Sequence, residues 1–366
     1  MHADQLMLKN FRNMEDLDIT FDEHVNIFYG QNAQGKTNLL ESIYFCATGR
    51  SHRTSFDKEC ILYDRDEAFI KLLYTRRKQD IIEIHLRKNG RKGAAYNREP
   101  VRRIEDLFGC LSVVMFSPED LSLIKNGPAG RRRFMDLEIC QTDPVYLHTL
   151  KNYHKVLKQR NQLLKNLDPY HFSYEESLSV WDGQLAEYGT RLISMRDSFI
   201  QRLSEKTSLI HEKISHGAED LRLSYEKNME PDAEAFLEKL KNTAQRDILI
   251  GSTQTGPHRD DIGMTISDKD VRVYGSQGQQ RTTALSMKLA EMEMMEEEIG
   301  TSPILLLDDV MSELDQERQL HMIEYIERCQ TLITCTGVED SIRRLPVGER
   351  FRVEKGKVYK ENNSFM

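Results

Sequence analysis

The apolar and polar positions along the chain fall into three textures. Between residues 6 and 28 the pattern is that of strands. Leu17, Ile19 and Phe21 alternate with polar neighbours, and VNIFYG runs straight into a glycine-bearing loop. TNLLESIYFCATG follows at helical spacing, with Leu39, Leu40, Ile43, Tyr44 and Ala47 on one face and Gly49 where a helix stops. AFIKLLYT and DIIEIHLRKNGRKGAAYN read as meander strands, with Asn89-Gly90 as a tight turn. LSVVMF reads as a short buried strand. SPEDL then offers Ser117 as a helix N-cap and Pro118 at the first helical position.

From about residue 121 to 246 the texture becomes long, charged and helix-periodic. YLHTLKNYHKVLKQRNQLLKN predicts a helix with Leu147, Leu150, Tyr153, Leu157 and Leu164 on one stripe, and Lys151, Lys155, Lys158 and Arg160 beside or opposite it. DPYHF and MEPDAEAF punctuate the region. Strand texture then returns, with DIGMTIS and DVRVYG as a hairpin. Next come a helix over about residues 279 to 298, the strand PILLLDDV, a helix over about 316 to 328, the strand TLITCTG and a final hairpin, FRVEKGKVYK. The expected fold is α/β: a mixed sheet plus an antiparallel meander lobe, built from residues 1–120 and 246–366, with a helical insertion at 121–245.

Composition narrows the class. The chain has 366 residues, 39% hydrophobic and 30% charged, which is enough apolar material for a core and too much for a disordered chain. No apolar run approaches the ~18 residues of a membrane span. The start, MHADQLMLKNFRN, has no apolar h-region, so a cytoplasmic protein without membrane partners is expected. Six scattered cysteines without a CxxC pair argue against a disulfide framework or a zinc site. Net charge is −8, which argues against a protein that coats nucleic acid all over. Yet residues 71 to 133 hold 15 Lys/Arg against 7 Asp/Glu, a local balance of +8, while EMEMMEEE at 291–298 is an acidic pole. Such a basic stretch can attract a phosphate backbone locally, although on charge alone solvated hairpin faces are the plainer explanation.

The chemistry is concentrated in separated pieces. Gly30-Gln31-Asn32-Ala33-Gln34-Gly35-Lys36-Thr37 matches G-x-x-x-x-G-K-[ST] between a strand and a helix. Backbone N–H groups cradle phosphates there, and the helix N-terminus adds partial positive charge. Lys36 would reach the β- and γ-phosphates, and the Thr37 hydroxyl would bind Mg²⁺. The run ILLLDDV ends a buried strand in two carboxylates. Asp308 would hold Mg²⁺, and Asp309 would orient or deprotonate the attacking water. GSQGQQR, residues 275–281, is small, polar and precedes a helix; alone it would read as an ordinary helix cap.

GSQGQQR is similar to the LSGGQ signature of ABC-type ATPases, with Ser276, Gly278 and Gln279 at matching positions. SELD, Ser312 to Asp315, resembles that family's D-loop. FSPEDLSLIKNGPAGRRRFMD, TGPHRDD and SQGQQRT, together with LKNFRN and GRSHRT, closely resemble the RecF family of bacterial recombination mediators over nearly the whole chain. The resemblance implies an ABC-type P-loop ATPase head like those of SMC proteins, with a helical arm in place of the long coiled coil. It implies ATP and Mg²⁺ as ligands and an ATP-driven homodimer, each nucleotide held between one copy's glycine loop and the other's Ser276 segment. It also implies binding to duplex DNA and single-strand/double-strand junctions, RecA loading at gaps with RecO and RecR, and support of replication restart and the SOS response.

This chain departs from the wider pattern in two places. Asp309 stands where transporter-like members carry Glu, so slow hydrolysis is expected. The histidine after the last core strand is missing, and Thr334 or Thr336 stands nearby. No Q-loop glutamine stands out. For DNA contact the candidates are Arg76, Arg77 and Lys78 in the basic 76–103 region, then Arg131, Arg132 and Arg133, then Lys151 and Lys155 on the 151–158 helix. Pairing with nearby acids is an equal alternative for the arginine triplet. Arg53 could reach phosphate of ATP or DNA; His258 and Arg259 could brace the signature hairpin against the head. Tyr153, His154 and Trp181 read as packing residues rather than base stackers. A transporter's nucleotide-binding subunit would predict a membrane-coupling groove and no DNA binding. An SMC-type tether would need a longer insertion at ~1.5 Å per helical residue.

Overall fold

The computed structural model describes residues 1–167, 174–337 and 347–361. The chain begins with β1 (His2–Phe11), β2 (Met14–Thr20), β3 (Val25–Tyr29), α1 (Lys36–Thr48), β4 (Glu67–Thr75) and β5 (Gln79–Arg87). The short β6 (Gly93–Tyr96) and β7 (Glu99–Pro100) lead to β8 (Val113–Phe116). Helices follow: α2 (Leu121–Lys125), α3 (Pro128–Thr142), α4 (Pro144–Leu164) and α5 (Tyr174–Ile214). After β9 (Leu221–Glu226) come α6 (Ala233–Ile250), β10 (Asp261–Ile266), β11 (Lys269–Asp270), α7 (Val271–Tyr274) and α8 (Gln277–Ile299). The chain closes with β12 (Ile304–Asp308), α9 (Gln316–Ile326), β13 (Thr331–Cys335), β14 (Val347–Glu354) and β15 (Lys357–Lys360).

Two compact units result, residues 1–120 with 291–366, and residues 121–290. In the first, β8, β12, β13, β3 and β14 run parallel, and β15 adds an antiparallel edge. Strands buried on both faces read as continuous apolar runs, which is why β12 is Ile-Leu-Leu-Leu-Asp with every residue buried. A second sheet, ordered β2-β1-β4-β5-β6-β7, is an antiparallel meander with alternating burial. Helix α1 shares one core with both sheets: Leu39, Leu40, Ile43 and Phe45 join Leu6, Leu72, Ile84, Leu306 and Phe351. This fixes the start of α1, and therefore the glycine loop, against the ends of the parallel strands. The expected mixed sheet and meander lobe are both present.

The second unit is helical but not wholly so. Helix α5 runs unbroken for 41 residues. DPYHF, residues 168–172, lies outside the described residues. Strand β9 pairs with β10, and β11 adds two residues to that sheet. This pairing carries residues 246–290 into the same unit as the insertion, so its boundary falls at 290/291 rather than 245/246. DVRVYG is not the second arm of a long hairpin. After Lys269 and Asp270 the Asp270 carboxylate accepts from the Arg272 N–H, and a helical turn begins, leaving Val273 and Tyr274 exposed. SPEDL likewise forms a short 3₁₀ turn before α2, with Asp120 accepting from the Ser117 N–H.

Three buried arginines hold the second unit together. Arg160 was expected beside or opposite the apolar stripe of α4. It is fully buried and joins α4, α5 and α6: Nε donates to Asp182 at 2.6 Å, and Nη1 to Asp247 at 2.7 Å and Thr253 at 2.8 Å. Arg196 donates to Asp136, the Tyr146 hydroxyl and the Pro257 carbonyl. Arg131 forms a two-pronged pair with Asp261. Burial raises the Asp182 and Asp247 carboxyls above the usual aspartate range, and Arg160 pulls them back. Arg160→Ala leaves two buried carboxylates without their cation, which costs about 3–5 kcal/mol. In urea unfolding we expect a correspondingly lower midpoint for Arg160→Ala and none for exposed Lys158→Ala. Because the folded-state carboxyl pKa values are raised, the folded form binds protons first, so the deficit should shrink as pH falls and grow as pH rises through those values. Equal midpoints for the two variants would contradict this assignment.

Candidate functional site

The glycine loop leaves the end of β3 and enters α1. Gly30 adopts φ 156°, and a Cβ there would lie 2.3 Å from the Val353 carbonyl oxygen of β14, so the close approach of two backbones excludes a side chain. Lys36 is buried to 7% exposure, and its ammonium donates to the carbonyls of Gly30 at 2.5 Å and Gln31 at 3.0 Å. That arches the cation back over the loop. Its burial lowers its pKa from the usual lysine value. Among the described residues, none accepts a hydrogen bond from the backbone N–H groups of residues 31–37. A row of unpaired donors at a helix N-terminus, with a lysine beside it, is the donor set a polyphosphate requires.

Two threonines and a carboxylate lie at the strand ends beside the loop. Thr37 Oγ1 donates to Asp308 Oδ1 at 2.9 Å, and Thr334 Oγ1, from the next strand, donates to the same oxygen at 2.7 Å. Burial raises the Asp308 pKa, and these two hydroxyls lower it. A hydroxyl and a carboxylate oxygen in contact are hard oxygen donors of the kind Mg²⁺ takes, so the residues fit that ion. Asp309 follows at φ 54°, the left-handed region that a non-glycine residue rarely adopts. It is held there because its N–H donates to Thr334 Oγ1 at 3.0 Å and the Thr334 carbonyl at 3.2 Å. Ser312 Oγ donates to the Asp309 carbonyl at 2.9 Å, and Asp315 caps α9 by accepting from the Arg318 N–H. Thr334, one of the two residues near the missing histidine's place, therefore holds the Asp308 carboxylate and the Asp309 backbone; Thr336 stands in the bend beyond β13.

The sequence reading missed a latch around the loop. Gln34 is gripped from outside: its carbonyl accepts from Asn13 Nδ2 at 3.1 Å and from the Gly356 N–H at 2.9 Å, and its Oε1 accepts from the Lys355 N–H at 2.7 Å. Asn13 stands in the two-residue turn between β1 and β2, and Asn38 Nδ2 donates to its Oδ1 at 2.8 Å. Arg53 reaches Asn38 at 3.1 Å and lies 3.8 Å from the buried Glu41, which Arg12 engages through two nitrogens. LKNFRN and GRSHRT thus converge on the glycine loop and its helix. Neither segment's pattern alone signals that, because the partners are side chains on distant turns.

Signature residues Ser276, Gly278 and Gln279 open α8 in the second unit. Ser276 Oγ accepts from the Gln279 N–H at 3.2 Å, and Gln279 Oε1 accepts from the Ser276 N–H at 2.9 Å, a reciprocal cap. His258 bonds Tyr153 Oη at 2.6 Å and the Thr253 carbonyl at 2.9 Å, and Arg259 donates to that carbonyl and to Gln254. Both make these bonds within the second unit. Burial lowers the His258 pKa to about 4.

The candidate DNA contacts separate by burial. Arg131 is 2% exposed, and besides Asp261 it donates to the carbonyls of Leu123 and Asn126, so it is a structural residue and not a DNA contact. Arg132 donates to the Asp260 carbonyl at 2.7 Å, half-buried, whereas Arg133 is exposed on the same helix. Arg76, Arg77 and Lys78 form the exposed turn between β4 and β5, with Arg76 also donating to the Ile299 carbonyl. On α4, Lys151 is half-buried and Lys155 is exposed; Tyr153 is buried and Trp181 half-buried.

The comparisons agree with this geometry. Residues 2–342 match the family model of the RecF/RecN/SMC N terminal domain. The chain is 48% identical over 368 residues to the DNA replication and repair protein RecF of Lachnospira eligens, covering 99% of this chain and 100% of that one. The chain belongs to the RecF family. Its RecF relative from Agathobacter rectalis is also 48% identical, over 96% of this chain and 97% of that one. A solved structure described as the recombination mediator protein RecF-ATP in the RecFOR pathway superposes with a TM-score of 0.92 at 36% identity, over 99% of this chain and 98% of that one. An SMC head from Pyrococcus furiosus, at 15% identity and a TM-score of 0.55, shares the fold. The fold is thus that of an ABC-type ATPase head with a helical arm. Among the described residues, no helix is long and apolar enough to cross a membrane.

The latch yields a test of its own. Gly356 sits at φ 76°, and a Cβ there would lie 2.1 Å from the Asn13 carbonyl oxygen. Gly356→Val must push the turn off Gln34. We expect triphosphate affinity, read with a fluorescent ATP analogue, to fall about tenfold, ~1.4 kcal/mol, while neighbouring Lys357→Ala binds as wild type. Unchanged affinity in Gly356→Val would show that the loop needs no such support.

Proposed function

We propose that this RecF-family chain is an ATP-dependent DNA-binding protein of recombinational repair, with ATP drawing two copies together. The observation that carries the reading is the meeting of Thr37 and Asp308 at 2.9 Å, 271 residues apart in sequence, beside Lys36. Residues 31–37 supply phosphate donors, and Lys36 adds a positive charge. Thr37 and Asp308 would hold Mg²⁺, which when bound neutralises phosphate charge. Asp309 is the candidate water-orienting base. The relatives named for DNA replication and repair, and the ATP-bound RecF neighbour, support this reading.

Each copy would close its ATP with the other copy's Ser276, Gly278 and Gln279. The hydroxyl and helix N-terminus of that segment meet the terminal charge, so binding free energy appears as association and hydrolysis removes it. Ser312 and Asp315 then fall at the D-loop position. The short carboxylate of Asp309, held at a strained φ, favours slow turnover, well below the ~10 s⁻¹ of an ordinary enzyme. DNA binding by the dimer draws on Arg76, Arg77, Lys78, Arg133 and Lys155. Cooperation with RecO and RecR in loading RecA at gaps, in the cytoplasm, belongs to the same proposal.

Sedimentation separates this reading from its alternatives. Wild type should be monomeric without nucleotide and dimeric with ATP and Mg²⁺. Lys36→Met and Ser276→Arg should stay monomeric, whereas Asp309→Asn should accumulate the dimer. Affinity for gapped duplex should follow the dimer and fall steeply with salt. Replacing Arg76, Arg77 and Lys78 by alanine should flatten the slope of log K against log salt by about 2–3. Equal DNA binding with and without ATP would reject ATP gating, and absence of DNA binding would favour a transporter-type subunit.

A further inference from the structure

The reciprocal cap between Ser276 and Gln279 works in only one orientation of the Gln279 amide. Its Oε1 must face the Ser276 N–H, so its Nε2 must face elsewhere. That nitrogen donates to Glu219 Oε1 at 2.9 Å. A carboxylate only accepts, and it therefore decides which way the amide points. The other Glu219 oxygen lies 2.9 Å from His211 Nε2, and His211 Nδ1 lies 3.2 Å from Ser286 Oγ, two turns along α8. His211 and Ser286 are fully buried. The chain of bonds leaves α8 at Gln279, crosses to the last turn of α5 and returns to α8 at Ser286.

Local backbone makes Glu219 available for this. After α5 the chain turns through His216 at φ 51° and Gly217 at φ 73°. The Gly217 N–H donates to the Glu212 carbonyl at 2.8 Å, and the Ala218 N–H to the Ser215 carbonyl at 3.0 Å. This tight turn, a helix C-terminal motif, sets Glu219 down just before β9. The Ser276 hydroxyl, already accepting from the Gln279 N–H, keeps its own proton to donate outward.

We propose that Glu219, oriented by His211, is the positioning residue of the signature segment, and that through it the long helix of the arm sets the geometry of Ser276. The inference rests on the function proposed above for what Ser276 does, but not for how it is held. It adds a residue outside every recognised motif. It also gives the arm a direct bond to the segment on which ATP-driven pairing depends.

Two measurements on the full-length protein test it. The first is hydrogen exchange of residues 275–281 without nucleotide, in wild type, Glu219→Ala, Gln279→Glu and the pair Glu219→Gln/Gln279→Glu. Gln279→Glu sets two carboxylates against each other. The pair reverses the polarity of the bond, with the new amide at 219 donating to the new carboxylate while still accepting from His211. We expect exchange at the Ser276 and Gln279 amides to quicken about tenfold in both single variants and to return within about twofold of wild type in the pair. The second is the ATP-dependent monomer–dimer constant, weakened about tenfold in Glu219→Ala, with monomer affinity for a fluorescent ATP analogue unchanged. Wild-type protection in Glu219→Ala, or no recovery in the pair, would overturn the proposal. A wild type that never pairs with ATP would sink the proposed function instead, while the exchange data still decide the role of Glu219.

Discussion

The Asp308 carboxylate, buried at the end of β12, accepts hydrogen bonds from Thr37 and Thr334 at one oxygen. Everything about the nucleotide site depends on that junction. It ties the first turn of α1 to two adjacent parallel strands and so places the loop's donors over the strand ends. A buried carboxylate is costly unless its lone pairs are used, so the two hydroxyls stabilise its charge and fix its direction. Thr334 also holds the Asp309 N–H, which keeps the second carboxylate in a backbone conformation it would not choose alone. The C-terminal hairpin closes the arrangement from the other side through Gly30, Gln34 and Gly356.

What was legible in the sequence was what local chemistry decides. The glycine loop, α1, β12 with its two aspartates, and the meander strands carry their own signatures in spacing, turn residues and period. The helix cap at Ser276 is similarly local, since its partner is three residues away. The resemblance of GRSHRT and TGPHRDD to a family was legible too, but not what those segments touch. Arg131 and Arg160 read as surface cations because arginine usually is one. They are buried because aspartates 130, 22 and 87 residues distant supply the counter-charge. The same limit applies to β9. Its alternation, LRLSYE, was present within the helical texture, yet only pairing with β10 makes it a strand.

The second unit has a different character from the first. Its core is stitched by arginine–carboxylate and tyrosine–carboxylate bonds as much as by apolar contact, with Arg131, Arg160 and Arg196 all nearly excluded from water. Such networks hold geometry tightly while they are complete and fail together when one member is lost. That is a suitable foundation for a segment whose proposed task is to present one hydroxyl in one direction. In the proposed reading the bonds from α5 through Glu219 to Gln279 would place that hydroxyl under the control of the arm, and the DNA contacts proposed at Arg133 and Lys155 lie on α3 and α4 of the same unit.

The central claim is that a bound triphosphate is shared by two copies, each giving its glycine loop to one nucleotide and Ser276 to the other. Cryo-electron microscopy of the protein loaded with ATP and Mg²⁺, in the slow Asp309→Asn form, measures this directly. The account predicts a two-fold pair with one copy's Ser276 Oγ within about 8 Å of the other copy's Lys36 Nζ, the span of hydrogen bonds to either side of one phosphoryl group. A nucleotide-loaded particle in which Ser276 faces open solvent would contradict it.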